Sequence, residues 1–286
     1  MLARYVSGRG LEIGPGHQPF NLRFPGVSVR YVDRWEPAQN AGLFPELGDD
    51  VFFPEPDIVS DLNVEGLSMV ANESEDFVIA SHVLEHLTDP VAQLADIHRV
   101  LRPGGIVLIL LPDRRRTFDR ARQGTTLEHL LADHAVGMQV PDDDHIEEFL
   151  IYTEGWNAER DAATRDVTFE HHRKRSFHVH CWTQQEFLPV LRYAITDMGM
   201  SWELIDALFV DDVNEGIEFG FVLRRSLSAP DPASLAKRLD SVWAAFEYVR
   251  RPLPPPPPEP PLWRRVVRRV VPAQVRRPLR AVRELW

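Results

Sequence analysis

Short, mainly apolar stretches alternate with turn residues along the first third of the chain. Four of them have the length and the β-branched content of strands: residues 10–14, 27–33, 56–62 and 75–81. A fifth run, "IVLILLPD" at 106–113, has six consecutive apolar residues, as expected of a strand that is covered on both faces. The succession of strand, turn, helix and strand predicts a parallel α/β sheet.

Apolar residues return at helical spacing in the segment 83–101, which ends at Pro103, Gly104 and Gly105. The members of this stripe are Val91, Leu94, Ile97, Val100 and Leu101. A second helix is predicted over 183–199, where a threonine can cap its first turn. Strand-like stretches follow at 202–210 and 218–225, and their closeness in sequence predicts an antiparallel pair.

Residues 114–182 interrupt this order, because they are polar and have no clear period. So long an interruption predicts an insertion after the fifth strand that covers the acceptor as a lid. We predict one domain over residues 1–249, a stiff proline-rich linker over 250–262 and a basic amphipathic tail over 263–286. Such a tail can lie on an anionic membrane surface, and a disordered solubilising tail is the equally open alternative.

Composition narrows the location and the partners. The chain of 286 residues has a single cysteine, Cys181, so it can form no internal disulfide. It contains no long apolar segment, and we expect it in the cytoplasm, with peripheral contact at the inner face of the membrane through the tail. The net charge is −11, of which residues 250–286 contribute +8, leaving −19 for residues 1–249. So acidic a domain is a poor nucleic-acid binder.

Five motifs occur in a fixed order: "GLEIGPGHQPF", "YVDR", "SDLN", "SHVLEHLTDP" and "LRPGGIVLILLPD". With them the chain resembles the class I S-adenosylmethionine-dependent methyltransferases, in the small-molecule group with the type 11 domain. The resemblance covers residues 8–113 well and 183–225 in outline. It implies an enzyme with S-adenosylmethionine as cofactor, and a doubly wound, Rossmann-like sheet of seven strands with the last one antiparallel.

The resemblance also implies cofactor contacts at the carboxyl ends of the first four strands. The loop that faces the methionine and the ribose is formed by Glu12, Gly14, Pro15 and Gly16. Asp33, with Arg34 beside it, accepts hydrogen bonds from the ribose hydroxyls, and the pair that contacts the adenine is Asp61 and Leu62. The fourth strand ends with Ser81 and His82. An aspartate at a strand end is also a common turn former, and Asp61 more so than Asp33. His17 replaces a third glycine and faces either cofactor or solvent.

The insertion is rich in histidines and carboxylates. A hydroxyl acceptor requires a general base that removes its proton, and such side chains can provide one. The first choice of general base is His145, oriented by Asp144, with His82 and His180 as further candidates. For His145 the alternative is an incidental histidine in a solvated acidic loop. His180 follows His178 in a predicted short strand that would place both on one face.

No metal site is predicted from the sequence. Asp142, Asp143 and Asp144 offer the oxygen ligands that Mg²⁺ prefers, but three consecutive aspartates cannot all face one ion. An N-P-P-aromatic motif, typical of enzymes that methylate amines of nucleic-acid bases, does not follow the fourth strand. A small-molecule hydroxyl is therefore the expected acceptor.

Within that class, the arginine-rich composition and the H-x-H-x-W motif are similar to actinobacterial enzymes that methylate sugar hydroxyls of polysaccharides, with methylmannose polysaccharide synthesis the most specific suggestion. Trp156 or Trp182 would suit the rim of a sugar pocket. Methylation of a lipid or quinone at the membrane is the alternative that the tail favours. A catalytically inactive binding module is the third interpretation. The family resemblance favours a homodimer.

Overall fold

The computed structural model describes residues 2–20, 22, 25–48, 50–208, 210 and 216–227. The predicted linker and tail lie outside the described residues and stay predictions, as does the membrane contact. Within the described residues, no helix has both the length and the apolar character needed to cross a membrane.

One sheet of seven strands organises the chain. Its strands are β1 (Gly8–Ile13), β2 (Val27–Asp33), β3 (Ile58–Val59), β4 (Glu75–Ser81), β5 (Leu101–Pro112), β6 (Trp202–Leu208) and β7 (Glu218–Arg225). Their order is β3-β2-β1-β4-β5-β7-β6, and β7 runs antiparallel to both of its neighbours. The predicted doubly wound, Rossmann-like sheet is confirmed. In such a sheet the strand ends on either side of the β1–β4 junction form the usual ligand site.

The strand predictions differ in how well they match. β2, β4 and β7 have the predicted bounds or lie within them, whereas β3 shrinks to two residues. β5 begins at Leu101, five positions before the predicted start at Ile106. Gly104, at φ +87°, and a shift in the β4–β5 register near Glu75 let the chain pass from helix to strand without a separate loop.

Six α-helices flank the sheet or lie in the insertion: α1 (Pro37–Leu43), α2 (Pro90–Val100), α3 (Leu127–Val136), α4 (Asp143–Phe149), α5 (Arg165–Lys174) and α6 (Gln184–Thr196). α2 begins where the Asp89 side chain accepts the Ala92 N–H at 2.8 Å. α6 begins with a capping box between Thr183 and Glu186. The helix predicted between β1 and β2 is absent from the described residues there, which form turns.

The insertion that follows β5 is a small subdomain with its own core. Its core residues are Ile146, Phe149, Leu150, Phe169, Phe177 and Val179. Its two ends meet, because Asp113 and Trp182 form a parallel bridge and the Arg114 N–H donates to the Trp182 carbonyl at 2.9 Å. Since β5 ends at the carboxyl edge of the sheet, the whole subdomain stands beside that edge.

Arg122 holds the interior of the insertion together. Its guanidinium is almost fully buried and donates to the Asp119 carboxylate at 2.9 Å and to the His178 and Val179 carbonyls at 2.7 and 2.9 Å. It also pairs with Glu148 on α4. A buried arginine needs several acceptors to offset its desolvation, and here three separate segments supply them. The insertion therefore has buried ion pairs beside its apolar core. This explains its polar composition, in which the sequence showed no helical period.

Gly10→Ala tests how tightly β1 is packed in the sheet. A Cβ at Gly10 would lie 2.2 Å from the Phe77 carbonyl oxygen, a backbone atom that cannot move aside. We expect a loss of about 1–3 kcal/mol in the free energy of unfolding, measured by urea denaturation. Gly42→Ala on α1 is the matched control, since nothing lies within 4 Å, and it should be neutral or stabilising. Equal stability of the two variants would contradict this packing.

Candidate functional site

A glycine loop follows β1 at the carboxyl edge of the sheet. Gly14 and Gly16 have φ +57° and +51°, in the left-handed region that favours glycine. A Cβ at Gly14 would lie 2.9 Å from a Val83 methyl group, whereas one at Gly16 would meet no atom within 4 Å. The backbone of Gly16 is therefore open to a ligand.

Glu12 fastens this loop from below. It is 1% exposed, and its carboxylate accepts the Phe20 N–H at 2.9 Å, which closes the turn over residues 14–20. Burial raises the pKa of Glu12 to about 7, against the opposing effect of this hydrogen bond. Pro15 is buried inside the turn, and His17 is exposed next to Phe53.

The ends of β2 and β3 meet at the carboxyl edge of the sheet. The Asp33 carboxylate accepts the Arg34 N–H at 2.7 Å, and the Arg34 guanidinium reaches Asp61 at 2.8 Å. Burial raises the pKa of Asp33, although backbone hydrogen bonds from Trp35 and Arg34 oppose this effect. Leu62, next to Asp61, packs against the main core.

Trp35 belongs to this group but was not predicted. Its ring is half-buried and lies under the Arg34 guanidinium at 4.5 Å, while its backbone N–H donates to the Asp33 carboxylate at 3.4 Å. A planar ring beside a strand-end acid can stack on a nucleoside base. The signal available in the sequence was its position two residues after Asp33.

β4 ends at Ser81, and the next residue, His82, faces two glutamates. His82 has φ +55°, which is uncommon for a residue other than glycine. Its Nε2 lies 2.9 Å from a Glu218 oxygen and its Nδ1 lies 3.6 Å from Glu85. Burial lowers the pKa of His82, but the Glu218 hydrogen bond and the two negative charges outweigh it, so the pKa is raised above 6.5. Glu218 was missed because it lies 136 positions away on β7.

Glu85 is a buried carboxyl group behind His82. It has no exposed surface, and neither of its oxygens makes a hydrogen bond among the described residues. Burial raises its pKa. His86 lies beside it and donates from Nδ1 to the Phe177 carbonyl at 2.8 Å, while burial lowers the His86 pKa to about 3. The carboxyl edge thus carries a base, His82, between one buried and one accessible acid.

His145, the first choice of base, lies at the start of α4. It is buried, and its carboxylate partner is Asp142 at 2.7 Å from Nδ1, whereas Asp144 is exposed. The predicted pairing with Asp144 is wrong for a geometric reason: Asp142 is the N-cap, so it faces His145 one helical turn on, while adjacent residues point in different directions. The Nε2 of His145 lies 2.9 Å from the Nε2 of His129.

The predicted strand around His178 and His180 does not form. The described backbone there is irregular, and the two rings enter different clusters. His178 contacts Asp119 at 2.6 Å, whereas the fully buried His180 lies 3.9 Å from Asp133. Burial keeps the pKa of His180 well below its ordinary value, so its ring is neutral at pH 7.

The remaining predicted site residues, which are the acidic run and the two tryptophans, make contacts within the protein. Asp143 pairs with Arg165 at 2.7 Å and with Arg173, so the acidic run does not face one ion. Trp182 is fully buried against Phe187 and cannot form the rim of a pocket. Trp156 is half-buried and packs on Phe169 in the insertion core.

The arrangement has what an adenosyl cofactor needs. Gly16 leaves an open approach to the backbone, and Asp33 offers a half-buried carboxylate for hydroxyl groups. Trp35 and Arg34 provide a planar surface beside it. These groups come from the ends of neighbouring parallel strands, which is where open α/β sheets bind nucleosides.

Comparison with known proteins gives one family match and a set of distant structural neighbours. The sequence model of the methyltransferase domain family, type 11, matches residues 12–109. A search of curated proteins finds no match. Among solved structures, a SAM-dependent methyltransferase from Methanosarcina mazei is 16% identical, with a TM-score of 0.42, over 79% of this chain and 97% of its own. A 1,6-didemethyltoxoflavin N1-methyltransferase from Burkholderia thailandensis, with bound S-adenosylhomocysteine, is 16% identical, with a TM-score of 0.41, over 77% of this chain and 72% of its own.

The family match covers the glycine loop, Asp33, Asp61 and His82, and it ends inside β5. It therefore includes the half of the sheet that holds the cofactor groups, while the insertion and β6–β7 lie beyond it. The match identifies residues 12–109 as a methyltransferase domain and supports a methyltransferase enzyme with S-adenosylmethionine as cofactor.

Proposed function

We propose that the chain transfers a methyl group from S-adenosylmethionine to a hydroxyl of a polar small molecule, a sugar hydroxyl being the preferred acceptor. The observation that carries this proposal is the contact between His82 and Glu218 at the carboxyl edge, at 2.9 Å. A hydroxyl needs a base to become a nucleophile, and this pair supplies one beside the cofactor groups.

The cofactor would be held by residues already placed together. Asp33 would accept hydrogen bonds from the ribose hydroxyls, Gly16 would leave room for the chain of the methionine, and Trp35 would lie against the adenine. When bound, S-adenosylmethionine supplies an activated methyl group for in-line displacement. The protein aligns the acceptor and removes its proton.

His82 suits the role of base better than the histidines of the insertion. Its side chain is 35% exposed, so an acceptor can reach it, and Glu218 and Glu85 stabilise the imidazolium that forms when it takes a proton. By contrast, the side chain of His145 is 6% exposed and that of His180 is fully buried, so an acceptor cannot reach either ring. We therefore assign the proton transfer to His82 and Glu218.

The other interpretations are less well supported. A lipid or quinone acceptor depends on residues 263–286, which lie outside the described residues. An inactive binding module would not need a histidine between two carboxyl groups, with Gly14, Gly16 and Asp33 arranged as an adenosyl site requires. A sugar is favoured because the groups at the carboxyl edge are polar and charged.

Asp33→Asn should weaken binding of S-adenosylhomocysteine about 10- to 100-fold, because a hydrogen bond to a charged group contributes about 1.5–3 kcal/mol. Calorimetric titration of the full chain measures this change. Asp76→Asn is the matched control, since Asp76 lies at the opposite end of β4 and pairs with Arg102, and it should bind as the wild type does. Equal affinity of both variants would overturn the assigned ribose contact.

The methylation rate should depend on pH through His82. Only the neutral imidazole can accept a proton, so kcat should rise as pH increases through a pKa above 6.5. Glu218→Gln should shift this limb to lower pH, because the carboxylate raises the pKa. His82→Gln should lower kcat about 10²- to 10⁴-fold and abolish the limb.

Release of S-adenosylhomocysteine measures the rate with a panel of mannosides and glucosides. The exposed His171, which lies on α5 and not in the glycine loop, gives the control variant His171→Gln, which should keep the rate and the profile. NMR titration of the His82 ring in the wild type and in Glu218→Gln measures the same pKa without an acceptor. An unchanged pH profile in His82→Gln would exclude His82 as the base.

A further inference from the structure

Three histidines and one aspartate converge inside the insertion. His129 and Asp133 stand one helical turn apart on α3, His145 lies in the first turn of α4, and His180 belongs to the segment that returns to the sheet. Three separate parts of the insertion thus send a nitrogen or oxygen ligand to one place. Each side chain offers one such atom, and the four atoms lie within 4.8 Å of one another.

The separations suit ligands around one ion. The Asp133 Oδ2 atom lies 3.2 Å from His129 Nε2, 3.4 Å from His145 Nε2 and 3.9 Å from His180 Nε2. Ligands about 2.0–2.2 Å from a zinc ion in tetrahedral geometry are separated by roughly 3.4 Å. The three distances from Asp133 are within about 0.5 Å of that value, and the largest separation among the four atoms would have to contract by at most about 1.4 Å.

Hydrogen bonds within the chain do not satisfy the cluster. Asp133 is 7% exposed at its side chain, yet its Oδ2 makes no hydrogen bond of acceptable geometry, although two ring nitrogens lie nearby. A buried carboxylate oxygen without a donor is destabilising, because neither water nor a hydrogen bond compensates its charge. A bound cation would supply the missing partner.

The surroundings of His145 also match those of a metal ligand. Its Nδ1–H donates to Asp142 at 2.7 Å, which fixes the ring so that Nε2 faces Asp133 and His129. Metal-bound histidines usually donate their second ring N–H to a carboxylate in this way. The His129 side chain is 48% exposed, which leaves an entry path from solvent.

We propose that His129, Asp133, His145 and His180 bind a divalent transition metal ion of the zinc type. Three imidazoles and one carboxylate are typical zinc ligands, whereas Mg²⁺ and Ca²⁺ prefer sites made of oxygen atoms. The ion joins α3, α4 and the returning segment, so its role is to stabilise the insertion. The proposal is independent of the reaction assigned to His82, because its test measures bound metal.

The full chain, stripped with a chelator, equilibrated with Zn²⁺ and desalted, should retain about one zinc ion per chain by elemental analysis. Asp133→Asn and His180→Gln should each retain less than about a tenth of that amount after the same treatment, because each removes one of four ligands. His134→Gln is the matched control, since His134 lies on the same helix but contacts Asp89, and it should retain as much zinc as the wild type.

Competition with a chromophoric chelator extends the test to Asp142. Asp142→Asn should weaken zinc binding about 10- to 100-fold while it leaves the four ligands in place. Circular dichroism and S-adenosylhomocysteine binding show whether each variant is folded. Co²⁺ in the wild type needs no variant and should give the intense visible absorption of a four-coordinate site.

The proposal is overturned if the wild type retains no zinc and Co²⁺ gives only the weak absorption of a hexahydrated ion. It is also overturned if Asp133→Asn and His180→Gln bind zinc as tightly as His134→Gln does. In either case, the four residues would form a hydrogen-bonded histidine cluster, as the 2.9 Å contact between His129 and His145 allows.

Discussion

Buried carboxyl groups at the carboxyl edge of the sheet need hydrogen-bond donors or positive charges. Much of the site depends on which residues supply them. Asp119 is fully buried, and Arg122 and His178 satisfy it, so that its pKa is lowered. Glu85 and Asp133 are also buried but keep oxygens without hydrogen bonds. Because an unpaired buried acid is costly, these two positions mark where a proton or an ion belongs.

The insertion concentrates these groups without weakening the domain that carries it. Its ends join at Asp113 and Trp182, so the sheet is continued rather than interrupted. Its own apolar core and the buried Arg122 hold the helices, and His145, His178 and His180 between them are buried. In a dry environment electrostatic interactions are stronger, which explains why the pKa values of neighbouring histidines diverge so widely. The sheet supplies the cofactor site, and the insertion supplies the buried polar clusters beside it.

The sequence predicts features that depend on neighbouring residues better than contacts between residues far apart in the chain. β4, α6 and the Asp33–Arg34 corner follow from local alternation, capping and strand-end residues, and they were predicted. The partner of His82 was not, because Glu218 is brought to it only by the antiparallel pairing of β7 with β5. The helices of the insertion were missed for another reason: buried ionic groups replace apolar residues on their inner faces, so a hydrophobic period is lost. Binding of the cofactor is predictable from motifs, whereas the base depends on tertiary contacts.

Environment divides the histidines of this chain into two kinds. His82 is partly exposed between two acids, which raise its pKa. A general base needs such a position, because it must take a proton from the acceptor and then release it to water. His180 is fully buried beside other imidazoles, which lowers its pKa and keeps its lone pair available. A residue cannot serve both roles, since a base must exchange protons and a ligand must stay deprotonated. Burial therefore separates proton transfer at the sheet edge from ion binding inside the insertion. The backbone connects the two sites, because the backbone N–H of His180 donates to the Glu85 carbonyl at 3.0 Å.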